Sequence, residues 1–339
     1  MHAPSCHRGS PFATFSILAS AASLGAYNID PDSISLSGFS SGGFAAAQLG
    51  VAYSSIFNVG FGVFAGGPYD CARNQPNSSC MWNNVPSITA PIAHMISWSG
   101  SEIDDVANLR HRRVYMQVGE LDRTIGPNIL AKLKVQLSSF VNPLSTMYIV
   151  TPDSGHTFPT DYDAPGDTPC SASSSPYISN CGYDGAGAVL EWIHGALRPK
   201  NTGVLTGEII PFEQDGEYGA IGMDRTGYLY IPASCRDRLT MCKLHVVLHG
   251  CLQAYGLIGD KFVRHTGYNK WADTNNIIVL YPQTTVDNSL HTIWDGGEHS
   301  NPYACWDWIG LYGDDVDQKG GTSARNIYCE VGYTDFYCV

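Results

Sequence analysis

The sequence predicts an α/β fold: a mainly parallel sheet with helices on its faces. Two observations carry that expectation. Short runs rich in β-branched and aromatic residues alternate with segments of helical length. Hydrophobic residues are 44% of the 339 and charged residues only 15%, a balance that buries a sizeable core and excludes a disordered chain.

Taken in order, Pro11 to Ala26 is small and apolar, and Ala19-Ser20-Ala21 has the look of a cleavage site. The run holds little Leu, and only His7 and Arg8 precede it. It reads as a helix of the folded domain, with the true leader already gone. Ser33 to Ser37 (SISLS) is a strand, and Phe44 to Ala52 an Ala-rich helix. Ile88 to Ser97 contains an apolar segment. Arg113 to Val118 (RVYMQV) is a strand ending at Gly119. Ile129 to Phe140 has helical spacing. Thr146 to Val150 (TMYIV) is a strand entering a Gly-His loop. Ala186 to Leu197 is a helix closed by Pro199. A polar link at Lys200 to Gly203 follows, and 198–206 is the best seam in the chain. Strands resume at Gly207–Phe212, Gly227–Ile231, Lys243–Leu248 (KLHVVL) and Ile277–Tyr281 (IIVLY). The last 45 residues read as loops. There is no internal repeat, and no stretch of 18 apolar residues that would form a transmembrane helix.

Nineteen Lys and Arg stand against 31 Asp and Glu, a formal net charge of -12. No basic run exists, which argues against nucleic acid and against an anionic membrane surface as partners. Eleven cysteines fall largely in short-range couples: Cys71 with Cys80, Cys170 with Cys181, Cys235 with Cys242, and Cys329 with Cys338. Each couple encloses a polar loop suited to a local disulfide, which implies an oxidising compartment and an extracellular, secreted protein. No C-x-x-C or H-x-x-x-H cluster supports a metal reading. Cys6, Cys251 and Cys305 are left over, and the odd total leaves at least one thiol unpaired. Asn77-Ser78-Ser79 is an N-glycosylation sequon inside the Cys71–Cys80 loop.

Chemistry enters at Gly38-Phe39-Ser40-Ser41-Gly42, a G-x-S-x-G between a strand and a helix. A nucleophilic serine needs that sharp turn, with glycines where the neighbouring elements pack close. The helix N-terminus behind it favours a developing oxyanion. Such a serine needs a base and an orienting acid, which follow it in the order acid, then His, on loops after strands. Asp122 follows the strand Arg113–Val118, and His156 follows Thr146–Val150. Glu120 and Asp153 are the rival acids; the first sits too near its strand end, the second shares a short loop with His156. His94 lies in an apolar run and reads as a core histidine, and His111, beside two arginines, as a surface one. A second oxyanion donor is expected from a loop after another strand, and His249-Gly250-Cys251-Leu252-Gln253 fits that role.

Leu248-His249-Gly250-Cys251-Leu252-Gln253, Leu280-Tyr281-Pro282-Gln283 and Cys305-Trp306-Asp307-Trp308 together resemble the polyhydroxybutyrate depolymerase and related esterase family. So do Ile29-Asp30-Pro31 before the nucleophile strand, Gly119 to Ile125 around the acid, and Gly155-His156. The motifs span residues 28 to 308. The family's usual order places the H-G-C loop, L-Y-P-Q and C-W-x-W before Ser, Asp and His; here they follow. The resemblance therefore implies a circularly permuted α/β-hydrolase fold. Residues 1–339 would form a single catalytic domain of the fungal type, with the old termini joined near 198–206 and no separate substrate-binding domain.

The resemblance further implies a triad of Ser40, Asp122 and His156, with oxyanion amides at Ser41 and Cys251. It implies a Cys251–Cys305 disulfide; otherwise Cys251 is a small buried hydrophobe. Trp308 would line the cleft and Trp306 point the other way, or both would simply belong to the core. The implied activity is hydrolysis of poly(3-hydroxybutyrate) by a secreted enzyme, with no metal or organic cofactor, a solid polyester as partner, and a monomer as the simplest state. A feruloyl or acetylxylan esterase is the alternative. A non-catalytic binding module is disfavoured by the intact triad, and a Cys251-based protease by the lack of a suitable His or Asn after it.

Overall fold

The computed structural model describes residues 27–214 and 220–321. The expected Cys329–Cys338 couple, Cys6 and the helix over residues 11–26 lie outside them. In chain order the elements are β1 (Ile29–Phe39), α1 (Ser41–Ala52), β2 (Gly60–Phe64), α2 (Thr89–Ser97), β3 (Arg113–Gly119), α3 (Pro127–Leu137), β4 (Thr146–Thr151), β5 (Phe158–Thr160), β6 (Ile178–Asn180) and α4 (Gly185–His194). The second half holds β7 (Glu208–Glu213), β8 (Thr226–Ile231), β9 (Cys242–Leu248), α5 (Tyr255–Ile258), α6 (Lys261–His265), α7 (Tyr268–Asn275), β10 (Ile277–Tyr281), β11 (Asp287–Thr292) and β12 (Glu298–Asn301).

Eight strands form one sheet in the order β4-β3-β2-β1-β9-β10-β8-β7. From β4 to β10 every pair is parallel; β8 and β7 are antiparallel additions at one edge. The central strands read as near-continuous apolar runs because both faces are covered. Every residue of β2 and β10 is buried. Helix α1 is buried on all sides, which its small and apolar composition permits.

The first described strand, β1, lies in the middle of the sheet. From it the chain builds outward to the β4 edge, returns along α4, and crosses by residues 195–207 to β7 at the far edge. From there it builds back in until β9 lies beside β1. Counted from β7, the strands run from one edge to the other with the nucleophile strand in the middle. This is the permuted order expected from the motifs. Asp273 of α7 pins the crossing segment. It accepts from Asn201 Nδ2 at 2.7 Å, Thr206 Oγ1 at 2.8 Å and the Gly207 amide at 2.9 Å.

Several local expectations need correction. β1 extends from Ile29 to Phe39, so the I-D-P step lies within the strand rather than before it. Helix α1 begins at Ser41, not Phe44, because the chain turns at Ser40 itself. Helix α4 ends at Gly195, whose φ of 84° stops it before Pro199 is reached; Asp184 caps its other end through the Gly187 amide at 2.8 Å. The C-terminal stretch is not all loop, since β11 and β12 form a hairpin. The turn signal Asp295-Gly296-Gly297 between them could have announced it.

Beneath the sheet runs a buried polar chain. Ser35 Oγ meets His245 Nδ1 at 2.7 Å and His194 Nε2 at 3.0 Å, and Ser37 Oγ meets His245 Nε2 at 2.8 Å and Tyr268 OH at 2.6 Å. Burial, with Lys243 and Arg113 nearby, pushes His194 down to about 4. The unfolded chain therefore binds a proton here between about pH 4 and 6.5 that the folded chain refuses, and stability falls as pH drops through that window. His194→Gln is expected to remove on the order of 2 kcal/mol of that acid-induced loss. Urea unfolding of both proteins, at neutral pH and near pH 4, checks it; equal losses in both would contradict it.

Candidate active site

The functional residues gather at the carboxyl ends of the parallel strands, where β1, β3, β4 and β9 each release a loop. Ser40 caps α1 with φ 57° and ψ −120°, a strained conformation for a non-glycine residue. Its amide donates to Phe64 O at 2.9 Å. The flanking glycines make room for this turn. A Cβ on Gly38 would sit 2.0 Å from Gly42 O, and one on Gly42 would sit 2.4 Å from the carbonyl oxygens of both Leu248 and His249.

Ser40 Oγ lies 2.9 Å from His156 Nε2, and His156 Nδ1 lies 2.8 Å from Asp122 Oδ2. All three side chains are buried. The second carboxylate oxygen, Asp122 Oδ1, accepts from the amides of Thr124 at 2.8 Å and Ile125 at 2.9 Å. Burial alone would push the Asp122 carboxyl up. The charge and hydrogen bond of His156, with those two amides, outweigh it and hold the group below its ordinary value. The His156 amide donates to Ser173 Oγ at 2.9 Å, and the Phe39 ring packs 4.9 Å from the imidazole. Glu120 and Asp153 are exposed and bond neither to His156 nor to Ser40.

Ser41 and Cys251 both line the space in front of Ser40. Among the described residues neither backbone amide has an acceptor: Ser41 opens α1, and the loop bonds around Cys251 use its neighbours. Disulfides join Cys71–Cys80, Cys170–Cys181, Cys235–Cys242 and Cys251–Cys305. The last ties the loop after β9 to the Trp306–Trp308 segment. Ser41 Oγ strengthens that tie by accepting from the Trp306 amide at 3.3 Å.

The cleft over Ser40 has a volume of about 650 Å³. Its walls are largely apolar, with Phe44, Ile125, Leu252 and Trp308 prominent. Trp308 stacks on Phe44, ring centroids 4.3 Å apart and planes 15° apart. The Trp306 ring points away from Trp308, as alternation would have it: it is buried in the main core beside His249, ring centroids 5.7 Å apart, while Trp308 packs with Phe44 and Ile125 in a smaller cluster. Residues 305–308 form no regular strand, and the segment borders the cleft, Trp308 with its ring. Two polar side chains of this wall, Asp307 and Asn301, are turned to the backbone. Asp307 accepts from the amides of Ile309, Leu311 and Tyr312 at 2.8–3.0 Å, and Asn301 bonds the backbone of Cys305. Trp82, Leu290 and Tyr303 stand at the mouth, 60%, 66% and 55% exposed. Asn77 of the sequon is half-buried beside them.

His94 is not a core residue. It lies half-buried on α2, stacks on Trp98 at 4.5 Å and bonds Asp70 at 2.5 Å. His111 is exposed. Among the described residues no group of three or more His, Cys, Asp or Glu side chains is placed to hold a metal ion. Sequence reasoning missed the β11–β12 hairpin as part of the mouth, and it left His249 without a role of its own.

No family model matches the sequence. A polyhydroxybutyrate depolymerase of Talaromyces funiculosus is 58% identical over 311 residues, 92% of each chain. A poly(3-hydroxybutyrate) depolymerase of Delftia acidovorans is 39% identical over 315 residues, 91% of this chain and 60% of its own length. Two solved structures superpose with a TM-score of 0.91 at 58% identity, covering 91% of this chain and 98% of theirs. One is a PHB depolymerase from Penicillium funiculosum; the other is a serine-to-alanine variant of a PHB depolymerase complexed with an R3HB trimer.

Proposed function

This chain belongs to the polyhydroxybutyrate depolymerase family, and on that premise we propose that it hydrolyses the ester bonds of poly(3-hydroxybutyrate) through an acyl-enzyme on Ser40. Ser40 Oγ attacks the ester carbonyl while His156 Nε2 takes its proton. The Ser41 and Cys251 amides hold the oxyanion of the tetrahedral intermediate. His156 then gives the proton to the departing hydroxyl end of the polymer. Water, deprotonated by the same imidazole, attacks the acyl-enzyme and releases a carboxylic end. Asp122 keeps Nδ1 protonated and stabilises the imidazolium.

The observation that carries this reading is the Ser40–His156–Asp122 hydrogen-bonded chain at the floor of a cleft whose walls are apolar. Asp307 and Asn301, the Asp and Asn of the wall beside the serine, are consumed by backbone and so do not offer themselves to a sugar, which favours a polyester over a polysaccharide. The exposed Trp82, Leu290 and Tyr303 supply an apolar rim suited to a solid polyester. Four disulfides fit an extracellular enzyme, and among the described residues no helix is long and apolar enough to cross a membrane. The chain acts as one catalytic domain and a monomer, its permutation joint in the segment that Asp273 pins. An N-glycan at Asn77 would stand at the cleft mouth.

The direct test is clearing of a poly(3-hydroxybutyrate) suspension, beside acetylxylan and feruloylated arabinoxylan. Clearing with release of short hydroxybutyrate oligomers is expected. Release of acetate or ferulate without clearing would move the enzyme to the polysaccharide esterases. Trp308→Ala is expected to slow polymer degradation about tenfold more than hydrolysis of a short soluble ester, since the lost ring surface serves the longer acyl chain. Equal losses on both substrates would make Trp308 a core residue only.

A further inference from the structure

His249 is fully buried, and no step of the mechanism uses it. Its hydrogen bonds nevertheless fix one tautomer. The Thr284 amide donates to Nε2 at 3.3 Å, so Nε2 must offer a lone pair. The Thr284 hydroxyl gives its own proton to Ala304 O at 2.6 Å. The proton of the ring then sits on Nδ1, where it is donated to Gly250 O at 2.8 Å. Burial pushes the group down to about 4, so the imidazole stays neutral at working pH.

Gly250 O belongs to the same peptide plane as the Cys251 N–H. In a trans peptide the two point in opposite directions. Drawing the carbonyl down onto His249, beneath the loop, therefore turns the Cys251 N–H out of the opposite edge, and Cys251 lines the cleft over Ser40. The preceding peptide is held independently: the Gly250 amide donates to Gln253 Oε1 at 2.7 Å, and Gln253 Nε2 donates to Pro176 O at 2.9 Å.

From this geometry we infer that His249 is a positioning residue for ester hydrolysis: its Nδ1–H fixes the Gly250–Cys251 peptide so that the Cys251 amide faces the developing oxyanion. The inference rests on the reading of that amide as an oxyanion donor. The imidazole packs 5.7 Å from the Trp306 ring and 6.0 Å from Phe262, so any smaller residue weakens the core. Asparagine alone keeps an N–H donor close to the Nδ1 position. Leucine has none, and the longer glutamine amide reaches toward Nε2 instead.

The test compares His249→Asn and His249→Leu for melting temperature, for kcat and KM on a soluble short-chain ester, and for affinity toward a trifluoromethyl ketone, which adds to the serine as a hemiketal oxyanion. Complete loss of one oxyanion donor costs about 10²–10³-fold, so a misaligned one in the Leu variant is expected to cost about 10- to 100-fold in kcat and in ketone affinity, with KM little changed and the Asn variant within about threefold of wild type. If the Leu variant does not fold, His249→Gln makes the same comparison. Equal kcat for the donor and non-donor variants, or losses that follow melting temperature alone, would overturn the inference. Failure of the wild-type enzyme to hold the ketone as an oxyanion would instead overturn the reading beneath it.

Discussion

Ser40→Ala is expected to abolish turnover of both polymer and soluble esters, a loss on the order of 10⁵–10⁶ in kcat. The size of the effect follows from the mechanism. Without Oγ there is no acyl-enzyme, and the remaining oxyanion amides and binding surface can only assist direct attack by water. The fold tolerates the change well. Ser40 adopts φ 57°, which alanine takes only under strain, but serine bears nearly the same strain, and among the described residues the hydroxyl's partner is His156 alone. The variant is therefore expected to melt close to wild type and still to adsorb to polymer granules. Initial-rate assays with a short p-nitrophenyl ester, beside a pull-down on granules, check both halves. Retained turnover would remove Ser40 from the nucleophile's role.

Asp122→Asn is expected to lower kcat about 10⁴-fold with little change in stability. The reason lies in the two sides of the carboxylate. Oδ1 receives two backbone N–H groups, from Thr124 and Ile125. An asparagine amide must turn its oxygen to that side, because an NH₂ there would meet two donors. Its NH₂ then faces His156 Nδ1 and forces that nitrogen to accept. The ring proton moves to Nε2, and the base facing Ser40 has no lone pair left to take the serine's proton. A kcat within about tenfold of wild type would mean that Asp122 does not set the tautomer.

The hydrogen-bonded arrangement of Ser40, His156 and Asp122 was legible in sequence because each member carries a local signal. Gly38 and Gly42 flank a serine at a strand-to-helix junction, and Asp122 and His156 each follow a strand. The permutation was readable because it changes motif order, which sequence preserves. What stayed hidden depends on contacts between distant segments. The strand character of Ile29 to Asp32 depends on pairing with β9, in which Ile29 aligns with Cys242 across more than two hundred residues. The course of the Trp306–Trp308 segment is set by the Cys251–Cys305 disulfide and by the Trp306 amide on Ser41, constraints that strand periodicity does not express. His94 reads as core from its apolar neighbours, yet it stays half-buried, bonded on one side to the buried Asp70 carboxylate. The tautomer of His249, on which its proposed role rests, requires knowing that Thr284, 35 residues away, donates to its ring.

The central claim is that Ser40 carries the hydroxyacyl group in the reaction. Acid quenching during steady-state turnover of poly(3-hydroxybutyrate), then peptide mapping by mass spectrometry, tests it most directly. A hydroxybutyryl ester on the peptide containing Ser40, absent in Ser40→Ala, is the predicted result. An acyl group on another residue, or turnover with no acylated peptide even when deacylation is slowed by His156→Ala rescued with imidazole, would contradict it.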